Sequence, residues 1–195
     1  MKTLFAVFFI GGIFSWPTKG QAQPLEFFRE KIEIDVNDST CTVTGTYYFK
    51  NPSASSLNLS ILYPVVVNDS LPFFPDYFKV KDISQNINIP FHTSAAAIRF
   101  SLSCKPLSIT IFKVSYRQRT PSAYMEYILT TTQNWGRPLD KAEYIIRLPS
   151  SLSLSKLSLP VSNKKVQDGK IIYYILKSSF LPPENLTLQW ERKKL

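Results

Sequence analysis

The sequence predicts an all-β fold: an antiparallel β-sandwich of about ten strands, following an N-terminal signal peptide. Three observations predict it. Apolar residues recur at every second position through most of the chain, the spacing of half-buried strands. Helical spacing is nearly absent after the first 22 residues, so a helix-connected parallel sheet would lack its helices. Fourteen prolines among 195 residues, with clusters of Asn, Asp and Ser, cut the chain into short runs. Short strands punctuated in this way suit a sandwich.

The elements follow in order. Lys31 to Val36 reads K-I-E-I-D-V, apolar on alternate positions. An Asn37-Asp38-Ser39 turn leads to Cys41–Phe49, in which Cys41, Val43, Gly45, Tyr47 and Phe49 share a face. Asn51-Pro52 stops that run, since Pro cannot donate to a ladder. Leu57, Leu59, Ile61 and Tyr63 alternate next, up to Pro64. Further strands are expected at 78–83, 98–104, 107–116, 124–132, 141–148, 170–177 and 186–190, with a less regular one at 152–159. Lys164-Lys165 is expected in a turn. No linker, repeat or low-complexity run divides the chain, so residues 23–195 are read as one domain.

The chain opens MKTLFAVFFIGGIFSWPTKGQAQPL. One Lys, an apolar run from Leu4 to Trp16 and a small-residue segment form the pattern of a secretory signal peptide. Cleavage after Ala22 fits, because a cut after Gln23 would be followed by Pro24. The expected address is therefore periplasmic or extracellular, with an uncleaved anchor as the alternative. In an oxidising compartment the pair Cys41 and Cys104 is expected to form a disulfide, both lying on inward faces. Such a bridge closes a loop of about 60 residues and would stabilise by about 4 kcal/mol.

The chain carries 23 basic and 14 acidic residues; without Lys2 and Lys19 the net charge is +7. That balance favours anionic partners, and an anionic surface is one reading of the basic end Arg192-Lys193-Lys194. The charges are otherwise dispersed and form no nucleic-acid-binding stripe.

Val43-Thr44-Gly45 followed by Tyr-Tyr-Phe-Lys-Asn-Pro has the cadence V-x-G-x-Y-x-F-x-N. Leu62-Tyr63-Pro64, the Trp135-Gly136-Arg137-Pro138 turn and Phe180-Leu181-Pro182-Pro183 follow it. Together these resemble secreted bacterial β-sandwich proteins of uncharacterised function. The cadence is also similar, more distantly, to the N-terminal β-domain of M1-type aminopeptidases. The His-Glu-x-x-His zinc motif of that family is missing, so the resemblance implies no peptidase activity.

Chemistry narrows by elimination. His92 is the single histidine, no Gly-x-Ser-x-Gly elbow accompanies it, and no phosphate-cradling Gly-rich loop is present. Two cysteines and one histidine fall short of a four-ligand structural zinc site. No catalytic residue, metal or cofactor is expected. Two stretches are read as binding surfaces. In one, Trp135 could offer a ring and Arg137 a fork of donors, although a corner with Trp135 plugging the sandwich and Gly136 at positive φ is favoured. The other is Leu71–Phe78, where Phe73, Phe74 and Tyr77 form a stiff apolar loop that is either a partner site or a core lid. The leading expectation is an exported, non-enzymatic binding domain for a partner protein or envelope component. The alternative is a carbohydrate-active enzyme or carbohydrate-binding module that uses Trp135 with Glu126, Asp140 or Glu143. Sequons at Asn37, Asn58, Asn68 and Asn185 are read as incidental.

Overall fold

A computed structural model describes residues 25–193; the expected signal peptide and Lys194 lie outside them. The described chain forms fourteen strands and one 3₁₀-helix. The strands are β1 (Glu26–Val36), β2 (Thr40–Asn51), β3 (Leu57–Pro64), β4 (Tyr77–Asp82), β5 (Ile87–Asn88), β6 (Phe91–Ser94) and β7 (Ala97–Cys104). They continue as β8 (Ser108–Arg119), β9 (Tyr124–Tyr127), β10 (Leu139–Pro149), β11 (Leu152–Leu157), β12 (Asn163–Gln167), β13 (Lys170–Phe180) and β14 (Leu186–Arg192). The 3₁₀-helix spans Thr130–Trp135.

One layer is an eight-stranded sheet in the order β12-β13-β10-β1-β2-β8-β4-β5. Two three-stranded sheets, β3-β7-β6 and β11-β14-β9, form the second layer. The alternation read from the sequence sets which face is buried. Ile32, Ile34 and Val36 of β1 and Cys41, Val43, Tyr47 and Phe49 of β2 point inward and are nearly inaccessible. They join one continuous apolar core with the inward residues of the two smaller sheets. Burial of that apolar area is the main force holding the layers together.

Among the described strands all pairings are antiparallel except one: β1 and β10 run parallel, from Arg29 opposite Lys141 to Asp35 opposite Arg147. A hairpin cannot make such a pair. Here the connection between the two partners is most of the described chain. Ion pairs straddle this seam on the outer face. Arg147 reaches Glu33 at 2.6 Å and Asp35 at 3.2 Å, and Arg29 reaches Glu143 at 3.5 Å. The Arg147 and Lys31 charges hold the Glu33 carboxyl below its ordinary range, against the opposing effect of burial.

Two local features differ from the sequence reading. The Lys164-Lys165 pair lies in edge strand β12, not in a turn. The turn is Asp168-Gly169, with φ of 51° and 69°, joining β12 to β13 as a two-residue hairpin. The strand expected to run to residue 132 ends at Tyr127, because the Asn185 side chain takes over the next backbone donors. Its Oδ1 accepts from the Leu129 and Thr130 amides.

The expected disulfide does not form: Cys41 and Cys104 are both free and buried. Sharing an inward face was not enough. Cys41 stands at the start of β2, while the Cys104 carbonyl accepts a hydrogen bond from Asn51 at the end of β2. Ten strand residues separate the two sites, about 30 Å at the rise of a strand. A bridge needs Cα atoms within about 7 Å. Asn51 also explains the Asn of the V-x-G-x-Y-x-F-x-N cadence. Its Nδ2 lies within hydrogen-bond reach of the Ser55, Cys104 and Lys105 carbonyls, and its Oδ1 accepts from the Ser53 amide. That ties the chain reversal after β2 to the end of β7.

Candidate functional site

At the Asn51 end of β2 the sandwich is not completely closed. A pocket of about 90 Å³ opens there, with Trp135 on its wall. Each contributing element reaches it for a local reason. In β1 a bulge at Phe28 resets the alternation, so that Phe27 and Glu30 both face inward although they are three residues apart. In β2, Tyr47 lies directly opposite Glu30. Its ring folds back over Gly45, two residues earlier on the same face. A Cβ at Gly45 would collide with the ring atoms and hydroxyl of Tyr47. The Gly-x-Tyr of the cadence therefore exists to lay that ring flat.

The Tyr47 hydroxyl meets two others. It donates to Tyr63 of β3 at 2.9 Å and shares a 2.5 Å hydrogen bond with Tyr127 of β9. The three tyrosines come from three different sheets. Beside them, Glu30 is 2% exposed and its Oε1 accepts from Tyr144 Oη at 2.6 Å. Ala142 is the β10 residue opposite Glu30, and its small side chain leaves room for Tyr144, two positions along, to reach the carboxyl. Burial pushes the Glu30 pKa up to about 7, partly offset by the Tyr144 hydrogen bond. Burial likewise raises the Tyr63 hydroxyl to about 12, and Tyr47 and Tyr127 also lie above their ordinary value.

The opposite wall is the corner around Trp135. The indole packs edge-on against Phe27 and Phe49, with ring centres 5.9 Å and 5.0 Å away. The 3₁₀-helix that carries it is pinned by Gln133 Nε2 donating to the Pro182 carbonyl at 2.7 Å. Gly136, at φ 66°, ends the helix in the left-handed region. Arg137 turns away from the pocket and is held by Glu26 at 2.9 Å and Asp140 at 2.8 Å. Its donor fork is thus already engaged with carboxylates.

The second expected surface lies elsewhere. Phe73 stacks under the Arg119 guanidinium at 3.8 Å, and Arg119 pairs with Thr40 at the far end of β2 from the pocket. Phe74 packs against Phe78, while Tyr77 is 48% exposed. Gln118 fixes the backbone of this loop by donating to the Val66 and Phe73 carbonyls. The structure brings Trp135 to the pocket but keeps Phe73, Phe74 and Tyr77 at the other end of the sandwich. The carboxylates named for sugar chemistry do not line the pocket. Glu126 accepts from Tyr124 and Asn185, Asp140 pairs with Arg137, and Glu143 pairs with Arg29 and Lys141. Among the described residues no cluster of His, Cys, Asp or Glu is placed to hold a metal. No described helix is long and apolar enough to cross a membrane. At the basic end, Arg192 pairs with Asp38 at 3.2 Å.

The acid of the pocket, Glu30, was missed by the sequence reading, which began the first strand at Lys31. The signal was present: carrying the alternation of Ile32, Ile34 and Val36 back by one step places Glu30 on the inward face.

No protein-family model matches the chain, and no curated protein matches it. Among solved structures it is similar to a Legionella pneumophila protein provisionally described as a nutrient binding protein. The TM-score is 0.60 at 12% identity, covering 86% of this chain and 67% of that one. It is also similar to an M1 zinc metallopeptidase of Deinococcus radiodurans, with a TM-score of 0.48 at 10% identity. That match covers 86% of this chain, which spans only 43% of the peptidase. The likeness to the Legionella protein is one of fold.

Proposed function

We propose that the chain is an exported, non-catalytic binding domain, and that the pocket beside Trp135 is its ligand site. One observation carries this reading: a carboxyl group, Glu30, is kept buried at the floor of a pocket walled by aromatic rings. A concave apolar site with a few convergent polar groups and a perturbed titratable residue has the form of a binding site. The likeness to a protein provisionally described as nutrient binding supports a binding role. The volume of about 90 Å³ suits one small molecule or a single side chain of a larger partner. The catalytic carbohydrate reading is disfavoured, because Glu126, Asp140 and Glu143 are paired elsewhere.

Thermal unfolding with a panel of small amines, sugars and carboxylic acids tests the site. A guest present at about 100 times its Kd stabilises by about 2.7 kcal/mol. At least one panel member is expected to raise Tm in the wild type and not in Trp135→Ala. If no compound shifts Tm, or the shift survives the substitution, the pocket is not the site.

A second contact surface is favoured by Phe73 and Tyr77, which stay exposed on a backbone that Gln118 makes rigid. A partner protein or envelope component is its proposed occupant.

A further inference from the structure

Given that reading of the pocket as a binding site, its chemistry selects the guest. Among the described residues Glu30 has no countercharge. Of the ion pairs among the described residues, none includes it. Its Oε1 is engaged by Tyr144, and no hydrogen bond within the described chain reaches Oε2. The described groups facing it are neutral: Tyr47 from β2, Tyr63 from β3, Tyr127 from β9 and Tyr144 from β10. An ionised carboxylate taken out of water without a partner is costly, and an apolar residue there would be cheaper for the fold. The rest of the lining points to the same missing charge. Hydroxyl oxygens accept hydrogen bonds, and the faces of aromatic rings carry negative potential. A cavity of about 90 Å³ admits the head of an alkylamine but is far below the several hundred Å³ of sites for drug-sized ligands.

We propose that this pocket recognises an alkylammonium group, with Glu30 as its counter-ion and the tyrosine hydroxyls as further acceptors. Two chemical forms present the same head, a free small amine and the tip of a lysine side chain.

Calorimetric titration of the chain with n-propylammonium, and with n-propanol as a neutral probe of similar size, decides the matter. Propylammonium is expected to bind at least about tenfold more tightly at pH 8 than at pH 5, because its partner must be ionised. At pH 8 it is expected to outbind propanol by a similar factor. Near pH 6.5, binding is expected to release a proton from the protein, seen as a heat that depends on buffer ionisation enthalpy. In Glu30→Gln the preference for the cation is expected to vanish while propanol binding remains. Should that variant not fold, the wild-type pH profile still decides. Propanol binding equal to or stronger than propylammonium binding, or a cation affinity indifferent to pH, would overturn the ammonium assignment and leave the pocket as a site. Failure of both probes to bind would overturn the site as well. Nα-acetyl-lysine amide separates the two sources: binding comparable to propylammonium supports a lysine-bearing partner, and exclusion of it supports a free amine.

Discussion

At the scale of single residues, Glu30 makes a measurable statement about stability. Its carboxyl titrates near 7 in the folded chain against an ordinary 4.5. The folded state therefore holds this proton more tightly than the unfolded state does. The sign follows: stability from this group is complete below pH 4.5, falls as pH rises, and is lost above about 7. At about 1.4 kcal/mol per pKa unit the cost above pH 7 is about 3 kcal/mol. Urea unfolding at pH 4.5 and pH 8 should show Glu30→Gln gaining on the wild type by about that amount at the higher pH. A constant difference between the two proteins across that range would contradict the buried, uncompensated carboxyl. Nearby Glu33 works in the opposite direction, since its pairing with Arg147 and Lys31 favours the ionised form. The comparison is thus between variant and wild type, not between one pH and another.

At the scale of elements, the alternation of apolar residues located eleven of the fourteen described strands, because strands such as β1, β2 and β8 bury every second residue and leave the others at least partly in water. The remaining three were illegible for definite reasons. β5 is two residues long, β6 is mostly exposed, and every residue of β12 is exposed, so none has an apolar face to reveal it. β12 was nonetheless announced by Asp168-Gly169, whose hairpin chemistry is local and readable. The parallel pairing of β1 with β10 left no trace, since no pattern within either strand names its neighbour. For the pocket, Trp135 was visible as a bulky residue at a turn. Glu30 sat one step beyond where the strand was taken to begin. Inward facing was also insufficient to pair the two cysteines: Cys41 lies at the start of β2, and Cys104, the last residue of β7, lies beside the end of β2. Their burial pushes the Cys41 and Cys104 thiols up from their ordinary value. A thiol reagent such as DTNB should be inert toward the native protein and should titrate both groups in guanidinium. Dithiothreitol should leave Tm unchanged. Any drop in Tm on reduction would contradict free thiols.

At the scale of the whole molecule, the second layer is split into two small sheets, and little but side chains joins them. The hydroxyls of Tyr47, Tyr63 and Tyr127 tie both small sheets to each other and to the large one. Tyr47→Phe removes the central member and leaves Tyr63 and Tyr127 joined only by a 3.4 Å contact. A loss of about 1–3 kcal/mol is expected, the cost of leaving buried polar partners poorly satisfied. The urea midpoint should fall with the m-value unchanged if the three sheets still unfold together. Separate transitions by circular dichroism and fluorescence would show instead that the small sheets unfold independently.

The parallel seam also sets an order of events in time. β1 is the first described strand, yet its ladder to β10 cannot begin before Lys141 is available to Arg29. A nascent chain would carry one edge of the β1–β2 hairpin bare until more than half the domain had been made. Such an edge invites pairing with other chains. A polypeptide of this design benefits from being kept extended until its whole length is present.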